Sequence, residues 1–462
     1  MSLLIRNVEV GGRPGLDVRL TDGVISEIGE GLTGGEEFDG RGGALIPGLI
    51  DHHIHLLAAA ARADSLTLDD IASPDELAAR IAGAAAARPA GAWIRAVGYH
   101  GRIAGVLGRE DLDRWAPDHP VRVQHQTGSL WMLNSAALAI VARGETPPGL
   151  ERDAQGRPTG RVWRADSWLR EQMGQTPPPL APLGALLAAC GVTGLMDASA
   201  GNDAETGAIL ADAHRTGALP QRLALMSANA LAAPADGAFM VGPLKVLLDD
   251  HDLPGLDDVL GRVACARSQG RAVALHCVTA AELAFTLAVL GAAGAAPGDR
   301  IEHGGVIPAD AIAVLKGLGL TVVTQPAFVF ERGDRYLADI DPAEHGDLYR
   351  CASLLTVGVP VAGSSDAPYA DPDPWSGLRA AIGRRTRLGE PVGLSEQITP
   401  CRALDLYLGS FADPGGPPRR VETGAPADLC LLGAPLAQAL AAPDARSVAA
   451  TFIAGRPVFA VP

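Results

Sequence analysis

Eight short apolar runs recur between residues 49 and 363, and no other feature limits the folds open to this chain so severely. They cover 49–55, Val192–Ala198, Arg222–Ala228, Leu244–Leu248, Ala272–Cys277, Arg300–His303, Leu320–Gln325 and Val359–Gly363. Helical stretches such as Ala280–Gly291 and Ala309–Gly317 separate several of them. Short buried strands alternating with helices predict a parallel α/β architecture, because parallel neighbours need crossover connections. Eight such strands close into a (β/α)8 TIM barrel, whose chemistry sits at the strands' C-terminal ends.

The first run is the most informative. Ala44 to Ile50 reads as one buried strand, broken only by Pro47-Gly48, and it leads into Asp51-His52-His53-Ile54-His55. Side chains at i and i+2 share a face of a strand, so His53 and His55 are predicted to project together while His52 points away. Two imidazoles side by side can grip a divalent metal.

What lies outside the barrel is short-stranded and turn-rich at both ends. Leu3–Ile5, Leu16–Leu20 and Val24–Ile28 near the start match Ala427–Leu432 and Val448–Ile453 near the end. Neither end can bury a core alone, so residues 1–46 and 405–462 are expected to pair into one small β-sandwich beside a barrel of residues 47–404. About 135 residues separate the first two barrel strands, far more than a βα loop needs. This insertion, 60–180, starts at the catalytic rim and is expected to fold over the mouth as a lid that adds to the substrate pocket.

Bulk properties restrict the partners. A net charge of −15 argues against nucleic acid or an anionic membrane. No apolar run is long enough to span a bilayer, and the start of the chain lacks a signal-peptide core. Six cysteines without paired spacing give no disulfide framework, so a reduced, cytoplasmic protein acting on a small-molecule substrate is expected.

Chemistry-bearing residues recur at the ends of the other runs. Lys245 lies inside the fourth, His276 and His303 close the fifth and sixth, and Asp366 follows the eighth in Gly363-Ser364-Ser365-Asp366-Ala367-Pro368. Each has an ordinary explanation by itself: a buried ion pair, a hydrogen-bonded core histidine, a turn aspartate. Their joint appearance at the ends of strands one, four, five, six and eight favours a metal centre. Only Lys245 and Lys316 are lysine among 38 basic residues, so a lysine here can be doing what arginine cannot.

Pro47-Gly48-Leu49-Ile50-Asp51-His52-His53-Ile54-His55 resembles the opening motif of the amidohydrolase superfamily. Arg300-Ile301-Glu302-His303 and Gly363–Pro368 resemble its YtcJ-like, or amidohydrolase-3, branch, which includes N-substituted formamide deformylases. Trp131–Leu138, Glu151-Arg152-Asp153, Pro158-Thr159-Gly160 and Gly424–Leu429 are similar to the same branch. One departure is Cys277-Val278 after His276, where relatives usually carry Gly-Asp.

The resemblance implies two divalent ions, usually zinc. His53, His55 and Asp366 would hold one, His276 and His303 the other, and Lys245, carboxylated to a carbamate, would bridge them. It further implies hydrolysis of a non-peptide C–N bond, in an N-acyl or N-formyl amine or a cyclic amide, by a metal-bridging hydroxide. Asp366 would shuttle the proton. His125 is a candidate to stabilise the developing charge, or else a surface or core histidine. Trp131, Phe328, Tyr369 and Trp375 are candidates for an apolar substrate pocket, or else packing residues. Two other functions stay open: an aminohydrolase acting on a heterocycle, disfavoured by Lys245, and a non-enzymatic barrel scaffold, disfavoured by the full ligand set. A homodimer is compatible with the resemblance, since barrels of this family often dimerise.

Overall fold

The computed structural model describes residues 2–68, 71–173 and 177–461, without the side chains of residues 166, 167 and 170. The chain divides into two compact units, residues 1–56 with 180–462 and residues 57–179.

In the first unit, eight parallel strands follow one another around a single sheet in chain order. They are β1 (Leu49–Ile54), β2 (Val192–Asp197), β3 (Arg222–Ser227), β4 (Met240–Val246), β5 (Val273–Cys277), β6 (Arg300–His303), β7 (Thr321–Thr324) and β8 (Val361–Gly363). Strands β2, β6 and β7 are buried along their whole length, as expected of a sheet covered on its outer face by helices. The helix after β5 shows how such helices start. Thr279 accepts the Glu282 N–H, and Glu282 accepts from Val278 and Thr279, so the free donors of the first turn are satisfied.

The barrel closes at the seam between β8 and β1 by two devices. Between the end of β8 and the start of β1, Leu406 and Tyr407 bridge the gap, their carbonyls accepting from Gly363 and Ile50. Gly363 has to be glycine there: a Cβ would lie 2.7 Å from the Tyr407 ring. Beyond the end of β8, Asp366 N–H donates to the His53 carbonyl (2.8 Å) and His55 N–H to the Ala367 carbonyl (2.9 Å).

The two chain ends build the expected sandwich-like pair of sheets. One orders the strands Val24–Gly29, Arg13–Thr21, Ser2–Val10 and Glu36–Asp39; the other orders Arg456–Ala460, Val448–Ile453, Leu429–Leu432 and Leu45–Pro47. Leu3, Ile5, Val18 and Leu20 from the first meet Leu45, Leu429, Leu431 and Phe452 from the second in one apolar core. The run from Ala44 to Ile50 is therefore two strands, not one. Leu45–Pro47 pairs antiparallel with Leu429–Leu431 in the sandwich, and β1 pairs with β2 in the barrel. Gly48 makes the change of sheet, because any Cβ at this point would strike the Thr193 side chain.

The second unit is a mixed six-stranded sheet ordered Leu150–Arg152, Pro158–Trp163, Leu130–Leu133, Val121–His125, Ile94–Tyr99 and Leu66–Thr67. Separate apolar clusters centred on Leu77, Ile94 and Val123 and on Leu133, Leu138 and Val162 form its core. No helix among the described residues is long and apolar enough to cross a membrane.

Candidate metal centre

β1 does not run straight to its end. Leu195 pairs with Asp51 and Asp197 with Ile54, so β1 carries one extra residue against β2. Such a bulge re-aims side chains at a strand's end. His53 and His55 still converge, with ring centroids 5.3 Å apart. Ligand atoms of His53, His55 and Asp366 all lie within 4.8 Å of one another. Nε2 of His55 is 3.2 Å, and Nε2 of His53 3.5 Å, from Oδ1 of Asp366.

His276, at the end of β5, and His303, at the end of β6, sit beside this group. Their ring centroids are 4.6 Å apart, and the His303 ring is 4.8 Å from that of His53. Lys245 on β4 is 1% exposed, and its Nζ has no hydrogen-bond partner among the described residues. Its charge acts on His53, His276, Glu302 and Asp366, which locates it in the same enclosure. His53 Nε2 and Asp366 Oδ1 are likewise buried without a hydrogen-bond partner. The lone pairs of His53 Nε2 and Asp366 Oδ1, enclosed and unsatisfied amid converging imidazoles, are what a bound cation would satisfy.

The other ring nitrogen of three histidines is held from behind. Nδ1 of His53 meets the Glu302 carboxylate, Nδ1 of His55 lies 2.9 Å from Ser199 Oγ, and Nδ1 of His303 lies 2.9 Å from Gln325 Oε1. These partners are themselves fixed. Asp197, ending β2, accepts from Ser199 N–H and Leu56 N–H, and Gln325 donates to Ser364 Oγ. Asp51 accepts from the Ser365 N–H and hydroxyl, tying the loop that carries Asp366 to β1. Partners of this kind orient a metal-binding imidazole and choose its tautomer. In the sequence Glu302 and Asp51 stand inside motifs with no role of their own, and no local pattern singles out Asp197, Ser199 or Gln325.

Electrostatics favour a cation. Burial, aided by the Lys245 charge, pushes His276 down to about 4, and burial holds His53 and His303 well below the usual imidazole value. A lowered value favours the neutral imidazole, the form that can bind a metal. Burial would raise Asp366, but the His55 ring 3.2 Å from its Oδ1 and the nearby Lys245 charge outweigh it and hold the carboxyl below its ordinary value. Burial lowers the Lys245 amine. Backbone strain collects here too: His303 (φ 69°) and Asp366 (φ 54°) are both left-handed, a conformation costing about 1–3 kcal/mol each.

The remaining candidates divide. Tyr369 is half exposed and turns its ring edge-on to His55 at 5.8 Å. Phe328 is buried with Val306, Val329 and Tyr349, under the Arg332 guanidinium 4.1 Å above its ring. Trp375 does not reach the cluster. It is fully buried and donates to the Cys190 carbonyl (2.9 Å), which precedes the opposite end of β2, so it is a packing residue. Trp131 and His125 belong to the second unit. Trp131 lies in its core with the Arg95 and Arg122 guanidinium groups 5.3 and 5.2 Å from its ring, and His125 Nδ1 lies 3.0 Å from Thr127 Oγ1 near Tyr99 and His100.

The model of the amidohydrolase family, in its amidohydrolase-3 group, matches residues 36–459. The chain is 25% identical to the N-substituted formamide deformylase of Arthrobacter pascens, over 86% of this chain and 84% of that protein. It is 26% identical to the protein YtcJ of Bacillus subtilis (strain 168), over 86% of each. Its fold is similar to the crystal structure of an uncharacterized metal-dependent hydrolase from Pyrococcus furiosus, with a TM-score of 0.71 at 18% identity over 92% of this chain and 98% of that one. A family match over nearly the whole length agrees with a barrel that gathers imidazoles and a carboxylate at its strand ends, and the chain belongs to the amidohydrolase family of metal-dependent hydrolases.

Proposed function

We propose that the protein hydrolyses a C–N bond of a small molecule, in an N-formyl or N-acyl amine or a cyclic amide. One observation carries this most directly: His53 Nε2, Lys245 Nζ and Asp366 Oδ1 are all buried and unsatisfied within one cluster. His53, His55 and Asp366 would hold one divalent ion and His276 and His303 a second, with Lys245, as its carbamate, available to both. Zinc suits this nitrogen and oxygen donor set. When bound, the ions supply Lewis acidity for the substrate carbonyl and lower the pKa of the attacking water to about 7.

The protein's own groups do the rest. The Asp366 carboxylate, kept ionised by its neighbours, takes the proton of the attacking water and returns it to the departing nitrogen. Lys245 suits carboxylation because burial favours its neutral amine, the form that reacts with CO2. Tyr369, edge-on to His55 and half exposed, is a wall for the acyl side of the substrate. A relative named for formamide deformylation makes N-formyl amines the first substrates to try. The test is a panel of N-formyl, N-acetyl, lactam and cyclic-imide compounds with zinc-loaded protein. Release of an amine or ring-opened acid is expected, and a metal-loaded protein that turns over none of them contradicts the proposal.

A further inference from the structure

Glu302 belongs to neither ligand group, yet it is fully enclosed beside them. It lies on β6 with Arg300, two residues apart and therefore on one face. Its Oε2 reaches across the barrel to Nδ1 of His53 on β1. Its other oxygen meets Nε of Arg300, and Nη2 of Arg300 lies 3.1 Å from Oε2. The same Nη2 donates to the His52 carbonyl (2.7 Å), inside the bulged part of β1. One buried arginine thus grips both the carboxylate and the backbone that carries His53.

A buried ion pair is a poor way merely to fill space, because an apolar pair of similar volume avoids its desolvation cost. What a carboxylate does here that an apolar side chain cannot is accept the Nδ1 proton. That fixes the tautomer in which the His53 Nε2 lone pair faces Asp366, and Nε2 is one of the buried atoms without a hydrogen-bond partner. The corresponding hydrogen-bond partners of His55 and His303, Ser199 and Gln325, are neutral, although Asp366 Oδ2 stands 3.8 Å from His303 Nδ1. Among the described residues, the His53 Nδ1 bonds directly to a carboxylate held in place by an arginine.

We infer that Glu302, held by Arg300, is a positioning residue that keeps His53 in its Nδ1–H tautomer and makes the His53–His55–Asp366 site the tighter of two metal sites, filled first. This rests on the proposed metal-ligand role of His53. Nothing but proton position and charge is involved, so no co-reactant is needed.

Two measurements test it. Zinc titration against a competing chromophoric chelator is run on wild type, Glu302→Gln and the neutral double variant Arg300→Gln/Glu302→Gln, the last guarding against an unpaired buried arginine. The first zinc equivalent should bind about 10–100-fold more weakly in a variant whose fold is retained, with the second unchanged. Unchanged affinity, or an equal loss at both sites, overturns the inference. Neutron diffraction on wild-type crystals needs no variant. A proton on His53 Nδ1 facing a bare Glu302 supports the inference, and a proton on Glu302 or on His53 Nε2 overturns it. Wild-type protein that takes up no zinc would instead sink the metal reading, a distinguishable failure.

Discussion

Nε2 of His55 lies 3.2 Å from Oδ1 of Asp366, although the two residues stand 311 positions apart and on opposite sides of the barrel's closing seam. The contact exists because the loop after β8 is stitched to β1 by the Asp366 and His55 amides. In the proposed mechanism Asp366 would combine a ligand position with proton transfer. Asp366→Asn, close in shape but weakly basic, should retain the fold and lose about 100-fold to 10,000-fold in kcat. Steady-state kinetics on the best substrate checks this, with circular dichroism as the control. A loss under tenfold would remove Asp366 from proton transfer.

Lys245 can be tested through its own chemistry. Protein equilibrated with 13C-bicarbonate and zinc should show one carbamate carbon resonance, absent in Lys245→Met. Methionine fills the fully buried site without a charge, so this variant should fold. Lys245→Arg, by contrast, places a permanent, unpaired charge where Nζ has no partner, and should cost about 3–5 kcal/mol of stability. A Lys245→Arg variant as stable as wild type to urea would show that the enclosure already contains a compensating group.

Asp373 gives a pH dependence remote from the metal ligands. It caps the helix Pro374–Gly383 by accepting the Trp375 N–H (2.9 Å), and burial, with the nearby Asp371 charge, pushes its carboxyl up to about 6 from an ordinary 3.8. A raised folded-state pKa means the folded chain holds this proton more tightly than the unfolded one. Its contribution to stability is therefore fully present below about pH 4, falls as pH rises to about 6, and is lost above that. Asp373→Asn keeps the cap without the charge and should be more stable than wild type at pH 7 by about 2 kcal/mol, a gap that closes by pH 4. Urea unfolding at the two pH values measures it, and an equal gap at both contradicts the assignment.

The seam offers a packing test. A methyl group at residue 363 lies 2.7–2.8 Å from ring atoms of Tyr407, which is itself enclosed and cannot swing out. Gly363→Ala should cost about 1–3 kcal/mol in urea unfolding. A neutral result would mean that the seam is looser than the backbone bonds to Leu406 and Tyr407 imply.

The barrel was legible because its strands are short, apolar and spaced by helices, and periodicity reports that directly. The clustering of His53, His55 and Asp366 was legible because strand ends are where enclosed histidines and an aspartate have little ordinary reason to recur together. Other features depend on which segments meet across the fold, and local pattern carries no such information. Leu45–Pro47 and Leu49–Ile54 are one hydrophobic run in the chain and two sheets in space, divided at Gly48. Met240–Pro243 extends β4 backward through residues that are not fully buried, so the apolar pattern began only at Leu244. Glu302, Asp197 and Gln325 gain their roles from register around the barrel. Trp375 follows the Asp366 motif closely in sequence, yet its helix turns it toward Cys190 and away from the metal cluster.

The most direct measurement is the zinc content of protein reconstituted with excess zinc and bicarbonate and then desalted, read by mass spectrometry of the metal. Two zinc ions per wild-type chain are predicted, with no more than one remaining in a folded His53→Asn/His55→Asn variant. A wild-type chain that retains no zinc, or a double variant that retains the full complement, would contradict the two-metal centre outright.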